Sequence, residues 1–198
     1  MSIITFPDDI WVTRMRWEQM RMDLTHTSPQ AGVTQAVSYG SPRWTVSMEI
    51  DRTREASAGS AKALLMQLRG QINQLALWDI ARPVPLGTVS GTLTLSGSHA
   101  VGATTLTISG SSGTVKKGDW LGVGSGQTRQ LVMVVADSNA NSVTIEPPLR
   151  FAQSSGSSVV YNKPTALFRL ANARQGWDSS GIYIENLTLD LIEDWEVA

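Results

Sequence analysis

From Ile10 to Thr27 the chain alternates with a period of two, and this feature constrains the fold most. Trp11, Thr13, Met15 and Trp17 share one side, with Arg14 and Arg16 on the other. Met20, Met22, Leu24 and His26 then alternate with Gln19, Arg21, Asp23 and Thr25. A helix would smear such a pattern around its axis, whereas a half-buried strand keeps it on two faces. After turn signals at Pro29, Gly32, Gly40 and Pro42, a third strand follows, with Trp44, Val46, Met48 and Ile50 inward.

The period changes near residue 55. Ala61, Leu64, Leu65, Leu68 and Ile72 recur at helical spacing, which predicts one amphipathic helix over 56–71. Lys62 and Arg69 fall off that stripe, and Gly70 marks the end. Leu75, Leu77 and Trp78 read as a short extended segment stopped by Pro83 and Pro85.

From Gly87 the composition turns to Gly, Ser, Thr and aliphatic residues. TLTLSG at 92–97 is echoed by TLTISG at 105–110, which reads as two strands around a loop rather than a solenoid. GDWLGVG, RQLVMVVAD, NSVTIEPPLR and SSVVYN add further strands. After Pro164 the opening style returns, ending in a long strand with Leu187, Leu189 and Leu191 on one face. The predicted fold is therefore mainly β. Residues 1–86 plus 164–198 form a discontinuous β domain with one packed α-helix, and 87–163 form an inserted small β-barrel or sandwich module. The Pro83–Gly87 junction reads as a flexible point from which the insertion projects.

The chemistry is sparse. Sixteen Lys and Arg against 17 Asp and Glu give a net charge of −1, too little for general capture of nucleic acid, and neither nucleic acid nor membrane is expected as a partner. Cysteine is absent, so there is no thiolate site or disulfide framework. No apolar run approaches the roughly 20 residues of a membrane span, and Asp8 and Asp9 interrupt the N-terminus before a signal peptide could form. His26 and His99 are the two histidines; one ends a strand on its apolar face and the other lies in a Gly/Ser loop, which reads against a triad or a histidine metal site. GVGSGQTR at 122–129 lacks the lysine and following helix of a phosphate loop, and Asp137–Asn141 lacks the glycine and terminal glutamate of a calcium loop. The expectation is a non-enzyme without cofactor or metal.

The order of SPRWTVSMEI, LLMQLRGQINQLALWDIARPVPLGT, KKGDWLGVGSGQTRQLVMVV, VTIEPPLR and KPTALFRL resembles minor tail proteins of long-tailed bacteriophages. The similarity is most specific to distal tail proteins and their relatives at the tail tip, and covers about residues 40–170. It implies a β-sandwich hub domain with one helix. It implies ring assembly, often of six copies, between the tail tube and the host-recognition apparatus, with no catalysis. Tube, hub and tape-measure proteins would be its partners, and the virion tail tip its location after assembly in the host cytoplasm.

Independently, the terminal strands carry opposite charge, which suits a head-to-tail joint. The subunit-contact candidates are Arg14, Arg16 and Arg21 early, and Glu185, Glu193, Asp194 and Glu196 late, with Trp11 and Trp17 as aromatic anchors. Two other readings are a carbohydrate-binding β module using tryptophan faces, and a hydrolase using the C-terminal carboxylates.

Overall fold

The computed structural model describes residues 1–38, 40–51, 55–180 and 183–195. The first half supplies β1 (Ile3–Thr5), β2 (Arg14–Met20), β3 (Asp23–Thr27), β4 (Thr34–Ser38), β5 (Arg43–Ile50), α1 (Glu55–Leu68) and β6 (Gln74–Leu77). The middle supplies β7 (Leu93–Leu95), β8 (Thr105–Ser109), β9 (Thr114–Val115), β10 (Trp120–Val123), β11 (Gln130–Val134), β12 (Ser138–Asn139), β13 (Ser142–Glu146) and β14 (Ser158–Val160). The chain closes with β15 (Ala166–Leu170), β16 (Asp178–Ser180) and β17 (Tyr183–Glu193). The fold is mainly β, with a single α-helix among the described residues.

Strands from both ends of the chain form one sheet in the order β1-β6-β15-β17-β5-β2, with β16 added to β17. β1 and β6 run parallel, and the other pairs are antiparallel. The alternation read from the sequence sets its faces. Trp44, Val46, Met48 and Ile50 of β5 are buried, as are Leu187, Leu189 and Leu191 of β17. The side chains between them face out.

Helix α1 packs Ala58, Ala61, Leu64, Leu65 and Leu68 into the same core as Met48, Phe168 and Leu189. It ends earlier than expected. Arg69 and Gly70 both take left-handed backbone, at φ 50° and 64°, and stop the helix after Leu68. Ile72, predicted as the last member of the buried stripe, therefore lies beyond the helix and is 60% exposed.

The middle strands close into a barrel in the order β10-β11-β13-β8-β7-β14. The echoed segments are neighbours in it, with Thr94 opposite Ser109 and Leu95 opposite Ile108. Leu95, Leu106, Leu121, Val132, Val143 and Ile145 fill the interior. A small β9–β12 ladder flanks the barrel.

The junction is pinned rather than flexible. Buried Asp119 accepts hydrogen bonds from the backbone amides of Leu86 at 2.6 Å, Gly87 at 3.2 Å and Lys116 at 2.8 Å. Gly87 sits so close to Thr114 that a Cβ there would lie 2.1 Å from its carbonyl oxygen. At the exit, the Lys163 amide donates to the Pro83 carbonyl at 2.7 Å. Trp120 and Leu131 of the barrel join the core of the sheet. The Trp44 indole donates to the Leu131 carbonyl at 3.0 Å, and the Trp120 indole to Asp79 at 3.0 Å.

Candidate assembly surface

The alternation in residues 20–27 continues past the edge of the sheet. β2 and β5 end their pairing at Met20 and Arg43, and the two chains run on as β3 and β4. Among the described residues these strands pair only with each other, making a hairpin arm closed by a turn at Ser28–Gly32, where the Gly32 amide donates to Ser28 O at 2.9 Å. At about 3.4 Å per residue its five-residue ladder is roughly 17 Å long. Every residue of both strands is exposed.

The arm has two unlike faces. Asp23, Thr25 and Thr27 oppose Ser38, Ala36 and Thr34, with a 2.9 Å hydroxyl pair between Thr27 and Thr34. On the other face Leu24 opposes Val37, and His26 opposes Gln35. Leu24 is 59% exposed, Val37 50%, and Met22 at the base 61%. Fully covering such a side chain stabilises by about 1.5–3 kcal/mol, so a surface that closed over the bare parts of these three would gain about 3–5 kcal/mol. A lone two-stranded hairpin is at best marginally stable in water.

Arg14, Arg16 and Arg21 all lie on the surface, each beside an acid of its own chain. Arg14 is 3.9 Å from Glu49, Arg16 2.5 Å from Glu18, and Arg21 4.0 Å from Asp23. These exposed pairs contribute little individually. Trp11 does not share a strand face with Trp17. It precedes β2, with its amide donating to Ser57 Oγ at 3.1 Å, and its side chain is 73% exposed. Trp17 turns inward instead. Its ring lies 6.2 Å from Trp44, 5.4 Å from Trp120 and 5.7 Å from Phe168, so it belongs to the subunit's own core.

The acidic group needs a larger correction. Glu196 and the side chain of Glu185 lie outside the described residues. Glu193 is 1% exposed and is no surface group. Its carboxylate accepts from the Arg150 guanidinium at 2.7 Å and from the Trp44 amide at 2.9 Å, joining barrel to sheet. Arg150 is itself buried, and its Cζ stacks 4.4 Å from the Trp195 ring centroid, with Arg43 at 4.0 Å from the same ring. Burial pushes the Glu193 carboxyl above its ordinary range, against the pull of Arg150, the Trp44 amide and Arg43. Burial likewise lowers the Arg150 guanidinium, against the pull of Glu193. Asp194 is largely covered too, accepting from Arg169 Nε at 2.5 Å and from Gln74. A sequence signal for Glu193 existed, since it continues the parity of Leu187, Leu189 and Leu191. The arm carried no such signal, because its alternation is indistinguishable from that of a strand with a covered face.

His99 supports the barrel. Its Nε2 accepts from the Thr107 amide at 3.0 Å, and its backbone bridges Gln153. Asp137 accepts from the Lys117 amide and the Lys116 ammonium, which hold its carboxyl below the usual range. Among the described residues, no group of three or more His, Cys, Asp or Glu converges as a metal site, and no helix is long and apolar enough to cross a membrane. Comparison with protein-family models finds no matching family, and comparison with curated proteins finds no matching relative.

Proposed function

We propose that this chain is a structural subunit of a phage tail, forming a ring at the distal tip that joins the tail tube to the host-recognition apparatus. The observation that carries the assembly reading is the β3–β4 arm, a hairpin that among the described residues pairs with no other strand and has an apolar face bare to solvent. Such a patch marks an interaction site. The placement in a tail tip rests on the sequence resemblance. Light scattering of the purified chain, with negative-stain microscopy, tests the assembly. Discrete closed rings are the expected result, and a shortened chain with residues 23–38 replaced by a Gly-Ser turn should remain folded as a monomer. A full chain that stays monomeric at high concentration would refute the reading.

A further inference from the structure

We propose that the cleft lined by Gly122, Gly124, Ser125, Arg129, Ser158 and Thr165 binds a phosphate group, either free or carried as a monoester. The site is separate from the β3–β4 arm and does not rest on the assembly reading.

The cleft measures about 170 Å³ and lies on the outside of the barrel, where β10 pairs with β14 and the chain leaves for β15. Val123 and Val159 oppose each other and fill the barrel core. Alternation therefore turns Gly122, Ser158 and Val160 outward. Glycine at 122 leaves the floor without a side chain. A Cβ there would lie 3.4 Å from Pro164, so the bare strand lets Pro164 and Thr165 cross close to β10. The Gly124 amide donates to the Ser158 carbonyl at 2.9 Å and holds the two segments side by side. Three stretches distant in sequence thus wall one hollow.

Arg129 supplies its charge. Nε donates to the Gly126 carbonyl at 3.1 Å and Nη1 to Thr165 Oγ1 at 2.9 Å. These bonds fix the guanidinium plane and leave Nη2 without a partner among the described residues. Arg150 and Arg169, likewise withdrawn from water, each hold a carboxylate, at 2.7 and 2.5 Å. Arg129 has no such counterion among the described residues. Burial lowers its guanidinium, and no carboxylate pulls it back.

The rest of the lining is built of donors. Thr165 Oγ1 accepts from Arg129, so its own proton remains to be given. The hydroxyls of Ser125 and Ser158 make no hydrogen bond among the described residues. One guanidinium nitrogen and three hydroxyls therefore share a cleft that no acid lines. A tetrahedral oxyanion has acceptors for all of them, whereas a carboxylate has two oxygens and leaves donors over. The 122–129 segment lacks the lysine and helix of a phosphate loop, and the cleft does without both. Its cation comes from the end of the segment, and Ser158 and Thr165 come from elsewhere in the chain.

Isothermal titration of the full chain at neutral pH, with inorganic phosphate and separately with methyl phosphate, tests the site. Saturable binding in the millimolar range is expected for both, and the tighter one names the source. Arg129→Gln should weaken binding about tenfold or more, through loss of a hydrogen bond from a charged group. Ser158→Asp sets a carboxylate beside Arg129 at an exposed strand position and should abolish binding while the ligand-free melting temperature stays near that of the parent. Acetate should bind more weakly than either phosphate. No saturable binding by the folded parent, binding undiminished in Ser158→Asp, or acetate as tight as phosphate would overturn the proposal.

Discussion

Replacing Arg150 with methionine keeps most of the side-chain volume but removes the cation that faces Glu193. Arg150 and Glu193 side chains are 5% and 1% exposed, so no water reaches the stranded carboxylate. Removing one partner of a buried pair costs about 3–5 kcal/mol. At about 2–4 °C per kcal/mol for a chain of this size, the melting temperature should fall by about 6–20 °C at neutral pH. The variant carries a pH signature. Burial already raises the Glu193 carboxyl, and without Arg150 it rises further. Its pKa in the fold then exceeds its unfolded value, so the folded state holds the proton to higher pH. Stability from this group is greatest below the ordinary carboxylate range and declines as pH rises through the folded value. The deficit of Arg150→Met against the parent should therefore shrink on acidification, followed by urea unfolding at neutral and mildly acidic pH. Adding Glu193→Leu should recover most of the neutral-pH loss, since apolar replacements of buried pairs are often neutral or better. A deficit under about 1 kcal/mol at neutral pH, the level of a solvated pair, would refute the reasoning.

Leu68→Ala should cost about 2–5 kcal/mol by chemical denaturation, because Leu68 is fully buried under the sheet. Lys62→Ala should cost no more than about 0.5–1 kcal/mol, the scale of an exposed cation–π contact such as the one it makes with Trp177 at 5.4 Å. Asp119→Ala strands the amides of Leu86, Gly87 and Lys116 and should cost at least about 1–3 kcal/mol, the penalty for one unsatisfied buried group, read as a lower melting temperature. A chain of residues 86–165 should keep the barrel core but bare Trp120, its one tryptophan, so its fluorescence should be red-shifted relative to a buried indole.

Much of the fold was legible because alternation is a local signal. The parity of Trp44, Val46, Met48 and Ile50, and of Leu187, Leu189 and Leu191, gave the inward faces directly. The barrel strands β7–β14 lie in the chain between β6, which ends at Leu77, and β15, which begins at Ala166. What was not legible depends on distant contacts. Charge type suggested that Glu193 was a surface group, whereas Arg150, from the far end of the barrel sequence, makes its burial tolerable. Trp17 and Trp11 look alike in sequence, but Trp11 precedes β2 whereas Trp17 lies within it and packs on Trp44, Trp120 and Phe168. The arm's apolar residues read as a covered face because nothing in a sequence says that no other strand is left to cover them.

The pinned junction bears on the order of folding. β6 and β15 are neighbours in the sheet, with Leu77 opposite Ala166, yet the whole barrel lies between them in the chain. Pairing them from an unfolded chain closes a long loop and costs the corresponding entropy. A barrel that has already closed brings its own entry and exit together, as the 2.7 Å bond between Lys163 and Pro83 requires, and replaces that long loop with a short one. The insertion then acts as an internal template, and a lesion within the barrel core should slow formation of the sheet as well as loosen the barrel.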